Sequence, residues 1–163
     1  MKKRFLALFA IAALIVAPSF GSILDNTTHS EWSAGISLGT NSGAQVNYRV
    51  NDQLTTETIL GFGALNTNLN VEYYGMYKVN EFRINDAMFN VNTGLGVSFG
   101  TNFSDTVSIA PLAAGEITYS FDDEFPLDIG LRAGIGPEFK FINNILIFGP
   151  SWNAGLYGLW RFI

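Results

Sequence analysis

The sequence predicts an all-β fold: an eight-stranded antiparallel up-and-down transmembrane β-barrel, preceded by a cleavable signal peptide. Three observations carry this. No helical period persists beyond the N-terminal apolar run. Eight short alternating segments follow it, separated by turn residues. The charged coat of a soluble globule is missing, since beyond the N-terminal segment the only lysines are Lys78 and Lys140.

The first element is the export signal. Lys2, Lys3 and Arg4 precede thirteen unbroken apolar residues, Phe5 to Ala17, and then Pro18, Ser19, Phe20, Gly21 and Ser22. A basic start, a short apolar run and small residues form a secretory signal, and the run is shorter than the roughly 20 residues of a transmembrane helix. Cleavage is expected near Gly21, giving residues 1–21 as signal peptide and 22–163 as barrel domain. Cleavage removes three basic residues and no acidic ones, so the net charge falls from −5 to −8. No basic patch remains to bind nucleic acid. No cysteine is present, so no disulfide can staple the domain.

The strands are expected at Glu31–Leu38, Ala44–Val50, Leu54–Leu65, Leu69–Val79, Ala87–Phe99, Val107–Phe121, Pro126–Phe139 and Ile145–Ile163, the last beginning in earnest near Ser151. Turn chemistry sits between them at Gly39–Gly43, Asn51-Asp52, Asn66-Thr67, Asn80-Glu81, Thr101-Asn102, Asp122-Asp123 and Asn143-Asn144. Eight evenly spaced strands without helices make a sandwich or a closed barrel. Alternation then sorts the side chains into two faces. In the seventh segment Leu127, Ile129, Leu131, Ala133 and Ile135 oppose Asp128, Gly130, Arg132, Gly134 and Gly136.

Which face is outside decides between a lipocalin-like barrel and its inverse in a membrane. The polar face is rich in glycine and asparagine, as a cramped lumen requires. Its charges are of both signs, Arg49, Lys78, Arg132 and Arg161 against Glu57, Glu72, Glu116, Asp128 and Glu138, and a lumen can pair them. Trp152 and Trp160 share the apolar face eight residues apart. That is roughly 20 Å along the membrane normal at a tilt near 40°, close to the spacing of two aromatic girdles. The membrane assignment follows.

Catalytic and metal readings are weak. His29 is the single histidine, and it lies just before the first strand without an orienting acid or nucleophile. Asp122-Asp123-Glu124 with Asp128 lacks the spacing of a calcium loop. The glycines of Gly94–Gly100 and Gly130–Gly136 open no helix, so they form no anion site. No enzyme activity and no cofactor is expected. With eight strands the interior is just wide enough for side chains to fill, so the lumenal charges are expected to form a paired network.

As a pattern over nearly the whole of residues 22–163, the sequence resembles the small eight-stranded outer-membrane barrels exemplified by OmpA, OmpX and OmpW. "GISLGTNSGAQVNYRVNDQ" and "FPLDIGLRAGIGPEF" resemble the first hairpin and the end of a poorly characterised set of such bacterial barrels. The resemblance implies a bacterial outer-membrane location and lipid as the main partner. It also implies recognition of the aromatic last strand, through Trp160 and Phe162, by the barrel-assembly machinery; Ile163 departs from the usual aromatic ending. The expected role is non-enzymatic, structural or interactive in the envelope, by a monomer. The alternatives are a narrow channel or carrier for small or apolar compounds and, less favoured, a soluble periplasmic lipocalin-like binder.

Overall fold

The computed structural model describes residues 32–63, 68–85, 87–121, 125–143 and 145–162. The expected signal peptide and its cleavage point, His29, Asp122-Asp123-Glu124 and Ile163 lie outside them. Eight strands follow one another in order: β1 (Trp32–Gly39), β2 (Asn41–Arg49), β3 (Leu54–Gly63), β4 (Leu69–Ile84), β5 (Ala87–Thr101), β6 (Thr106–Ser120), β7 (Leu127–Ile142) and β8 (Ile145–Phe162). Each pairs antiparallel with the next, and β8 pairs with β1, so the sheet closes into a barrel.

The register fixes the barrel's shape. Hydrogen-bond neighbours lead once round from Trp32 through Tyr48, Thr56, Gly75, Leu95, Ala113 and Ile135 to Trp152. In the β1–β8 register, where Leu38 faces Leu156, Trp152 falls level with position 42, ten residues beyond the start. A stagger of ten over eight strands corresponds to a tilt of roughly 40° and a backbone radius of about 8 Å. Such a tube is narrow enough for side chains from opposite walls to meet across it.

The strands are longer than the alternation predicts in two places. The polar pair Asn80-Glu81, expected to turn, lies inside β4, beside a bulge that shifts the register between Lys78 and Asn80. The bulge absorbs the break in alternation, and the chain turns instead at Asn85, whose φ of 53° is the left-handed conformation that asparagine tolerates. The stretch between Phe139, where the seventh strand is expected to end, and Ser151, where the eighth is expected to begin in earnest, is likewise largely strand. The β7–β8 ladder is unbroken from Leu127↔Trp160 to Ile142↔Ile145, and Asn143 after it is left-handed (φ 49°). The last strand therefore begins at Ile145, not near Ser151. The five-residue connector expected at Gly39–Gly43 shrinks to a turn at Thr40, because the Thr40 amide continues the β8 ladder by donating to Ala154 O at 2.9 Å.

The polarity is that of a membrane barrel. Leu95 is 74% exposed and Ile135 67%, with Leu60, Leu131, Leu156 and Trp152 also on the outer wall. Glu57 (1%) and Arg132 (4%) are buried inside. Around the rim where β1 begins and β8 ends, ring contacts link Phe82, Phe89, Tyr119, Phe121, Phe125 and Trp160, with centroids 4.7–5.6 Å apart. This is an aromatic girdle on one side of an apolar wall.

One interruption crosses the wall. The β6–β7 ladder lapses between Ile109↔Phe139 and Ala113↔Ile135, and the register there sets Pro111 opposite Pro137, which in turn faces Pro150. Phe121 N donates to Leu127 O, so odd-numbered residues of β6 and β7 direct their backbone polar groups at each other. Pro111 and Pro137 thus occupy a position where two N–H donors would be exchanged, and neither has one. Pro150 lies in the stretch of β8 that rises past the last β1 pair, Gly39↔Gly155, and turns its missing donor to that open edge.

Candidate functional site: a lumenal belt between two cavities

The lumen is built from the inward residues of each strand, and glycines determine where its large side chains lie. Tyr74 on β4 faces Gly96 on β5, and a methyl group at Gly96 would come within 2.2 Å of the Tyr74 ring. Tyr157 on β8 faces Gly130 on β7 with the same clearance of 2.2 Å. Each tyrosine ring lies over the glycine of the neighbouring strand. Ile59, Met76, Ala110, Leu112 and Ala114 fill one side of the tube with Tyr74 as a small apolar core.

Across the middle runs a belt of buried polar groups. Arg132 on β7 donates to Glu57 Oε2 across the lumen, and its Nη1 stands 4.0 Å from Glu116 Oε2. The guanidinium lies over the Tyr74 ring, 4.6 Å from its centroid, and 5.9 Å from that of Tyr157. Glu57 Oε1 accepts from Asn47 (3.1 Å), whose Oδ1 accepts from Gln45 (3.0 Å). Glu116 Oε1 accepts from Asn92 (2.8 Å) and Thr118 (3.0 Å). Since Thr118 donates its one proton there, the Tyr157 hydroxyl donates to Thr118 at 2.7 Å. Glu72 Oε2 accepts from Tyr74 (2.8 Å) and Asn153 (3.1 Å), and Asn153 also contacts the Tyr74 hydroxyl.

The belt separates two cavities. The one toward the rim where β1 begins and β8 ends is about 470 Å³, and Arg49, Glu57, Lys78, Glu116, Asp128 and Arg161 are among its walls. The far-end cavity is about 190 Å³ and holds Glu72 and Glu138. Of the nine charged residues singled out from the sequence, Glu57, Glu72, Glu116 and Arg132 therefore meet in the belt. Four of the other five form short pairs toward the ends: Arg161 with Asp128 (3.6 Å), Lys78 with Glu81 (2.6 Å) and Glu138 with Lys140 (3.3 Å). Arg161 also donates to Phe121 O at 2.5 Å, tying β8 to the turn after β6. Arg49 lines the larger cavity near the mouth. Trp152 and Trp160 stand on the outer wall, Trp160 within the aromatic girdle, and Phe162 faces Trp32 of β1.

The residues that sequence reasoning did not single out are the neutral donors: Asn47, Asn92, Thr118, Asn153 and the two tyrosines. Parity alone puts them on the polar face; the register reveals which carboxylate each one serves. Among the described residues no cluster of three or more histidine, cysteine or acidic side chains is arranged to hold a metal. No described helix is long and apolar enough to cross a membrane.

No protein-family model and no curated protein matches the chain. Among solved structures it is similar to a de novo designed protein, TMB2.3, determined by solution NMR, with 13% identity over 85% of this chain and 99% of that one and a TM-score of 0.44.

Proposed function

We propose that the chain is a non-enzymatic β-barrel of a bacterial outer membrane, with a structural or interaction role in the envelope, akin to the OmpA, OmpX and OmpW barrels it resembles. The observation that carries this is the pairing of a closed apolar exterior with a lumen crossed by a belt of buried, paired polar groups. Hydrocarbon tolerates a sheet only when every backbone edge is paired, and closure through β1 and β8 meets that demand. Lipid is then the principal partner, the barrel-assembly machinery a transient one, and the monomer the functional unit. The experiment is fractionation of carbonate-washed membranes combined with gel mobility with and without heating. Retention in the membrane and a heat-dependent mobility shift are expected; release into the soluble fraction overturns the reading.

The two cavities support a second reading, a narrow channel or carrier. Its passage would require the belt around Arg132 to move aside. Stable unitary conductance steps in planar bilayers would favour it over the structural role.

A further inference from the structure

The barrel wall has a step in it. β1 and β8 are joined only as far as Gly39↔Gly155 and the bond from the Thr40 amide to Ala154 O. Beyond that point β8 continues to Ile145, held by β7 on its other side. Even-numbered residues of β8 direct their backbone groups toward the β1 side, as Ala154 does. Among the described residues no strand therefore meets the N–H groups of Leu146, Phe148 and Trp152. The 190 Å³ cavity reaches this step. Its walls include Thr40, Pro150 and Trp152 at the edge together with Asn70, Glu72 and Asn153 inside. Since Trp152 is 60% exposed on the outer face, the cavity continues sideways to the outside. Trp152 stands roughly 20 Å above Trp160, the level at which an apolar band of this kind gives way to headgroups. Just below, the facing pair Leu38 and Leu156 is exposed and apolar.

We propose that this step is a docking site for a membrane lipid with an uncharged, hydroxyl-rich head group, a sugar on a diacyl tail. The head enters the 190 Å³ cavity from the side, and the tail lies along Leu38 and Leu156. Asn68, Asn70, Ser98, Ser108 and Ser151 are half-buried in the cavity wall and offer both donors and acceptors, as sugar hydroxyls require. The edge N–H groups of Trp152 and Phe148 add donors, and the two rings on the same face of β8 give the apolar side of a sugar a surface to stack on. A phosphate head is disfavoured, because Glu72 and Glu138 are the charged groups of the wall. A further strand is disfavoured too, since Pro150 lacks the N–H it would need. Nor can a second copy pair edge to edge: an antiparallel β8–β8 contact needs a two-fold axis across the sheet, which would invert one barrel in the membrane. The site rests on the membrane reading, which supplies its lipid surroundings.

The test uses the full chain folded into phosphatidylcholine vesicles, with insertion established by gel mobility without heating, so that failure of the membrane reading is seen separately. The vesicles carry a small fraction of glucosyl diacylglycerol with a photoactivatable diazirine on the sugar, and labelled peptides are mapped by mass spectrometry. Labelling is expected to concentrate on Thr40 and residues 145–153 and to saturate. Unlabelled glucosyl diacylglycerol should compete about tenfold better than phosphatidylglycerol. Ser151→Leu, which places apolar bulk in the cavity wall, should abolish the labelling in a barrel that still inserts. Should that variant not insert, the competition on the unaltered chain decides. Three results overturn the proposal: labelling spread evenly around both rims, equal competition by phosphatidylglycerol, or undiminished labelling of an inserted Ser151→Leu barrel.

Discussion

Glu57 and Glu72 are buried to nearly the same degree in the same tube, and the protein holds them in opposite ways. Glu57 is held by a full positive charge that reaches across the lumen from β7. Glu72 relies on neutral hydrogen bonds, from Tyr74 two residues away and from Asn153 on β8. The difference teaches that one guanidinium, placed over two tyrosine rings, suffices to organise a belt of three carboxylates, provided that amides and hydroxyls complete the shells. It also says where the belt is fragile. A charge pair fails when one partner is lost, because the survivor stays buried and uncompensated; a neutral shell loses one bond at a time.

The largest expected effect breaks the charged half. Arg132→Met leaves Glu57 buried without its cation and is expected to destabilise the barrel by about 3–5 kcal/mol. Urea unfolding in detergent, read by gel mobility, measures this. Glu57→Gln combined with Arg132→Met should lose less than Arg132→Met alone, since the stranded charge is gone; an equal or larger loss would show that packing of the guanidinium matters more than pairing. Next comes the support beneath the neutral half. Gly96→Ala drives a methyl group into the Tyr74 ring and is expected to cost about 1–3 kcal/mol. Gly115→Ala, with open space around it, should be neutral within about 0.5 kcal/mol in the same assay.

A smaller change follows from Tyr74→Phe, which keeps the ring under Arg132 and removes one donor from Glu72, at about 1–2 kcal/mol. The smallest concerns a third carboxylate held by neutral donors alone, this time in water. Asp105 accepts from Asn102 (2.7 Å) and Thr106 (3.1 Å), and these bonds hold its carboxyl below the usual carboxylate range. A depressed folded-state value means that its contribution is present above the unfolded value and disappears as pH falls through the folded one. Asp105→Asn should lower stability slightly at neutral pH, where that contribution is present, leave it unchanged below the folded value, and so flatten the acid limb, as thermal unfolding at stepped pH would reveal.

Much of this was readable from residue order. A period of two sorts Glu57, Glu72, Glu116 and Arg132 onto the face opposite Leu131 and Ile135, and a missing lysine coat says which face meets lipid. What the alternation does not carry is register. Whether Tyr74 meets Gly96 or a residue two places away depends on turn lengths, and the bulge after Lys78 shifts that count. Asn80-Glu81 has the chemistry of a turn, but backbone conformation rather than polarity decides, and the left-handed residue is Asn85. The neutral shell of Glu72 was hidden for the same reason: Asn153 lies 81 positions away in sequence and becomes its neighbour only through barrel closure.

The prolines give the wall a mechanical consequence. Below Pro111 and Pro137 the β6–β7 seam is fully stitched; above them only the four pairs from Thr106 to Ile109 join the strands. Flexing the sheet along that line sacrifices no hydrogen bond at its pivot, because none was ever formed there. The β7–β8 hairpin is therefore a stiff crown on a compliant joint, able to lean with the surface around it while the belt beneath stays rigid. Pro150, on the crown's open side, denies an incoming strand one of the donors it would need to zip on.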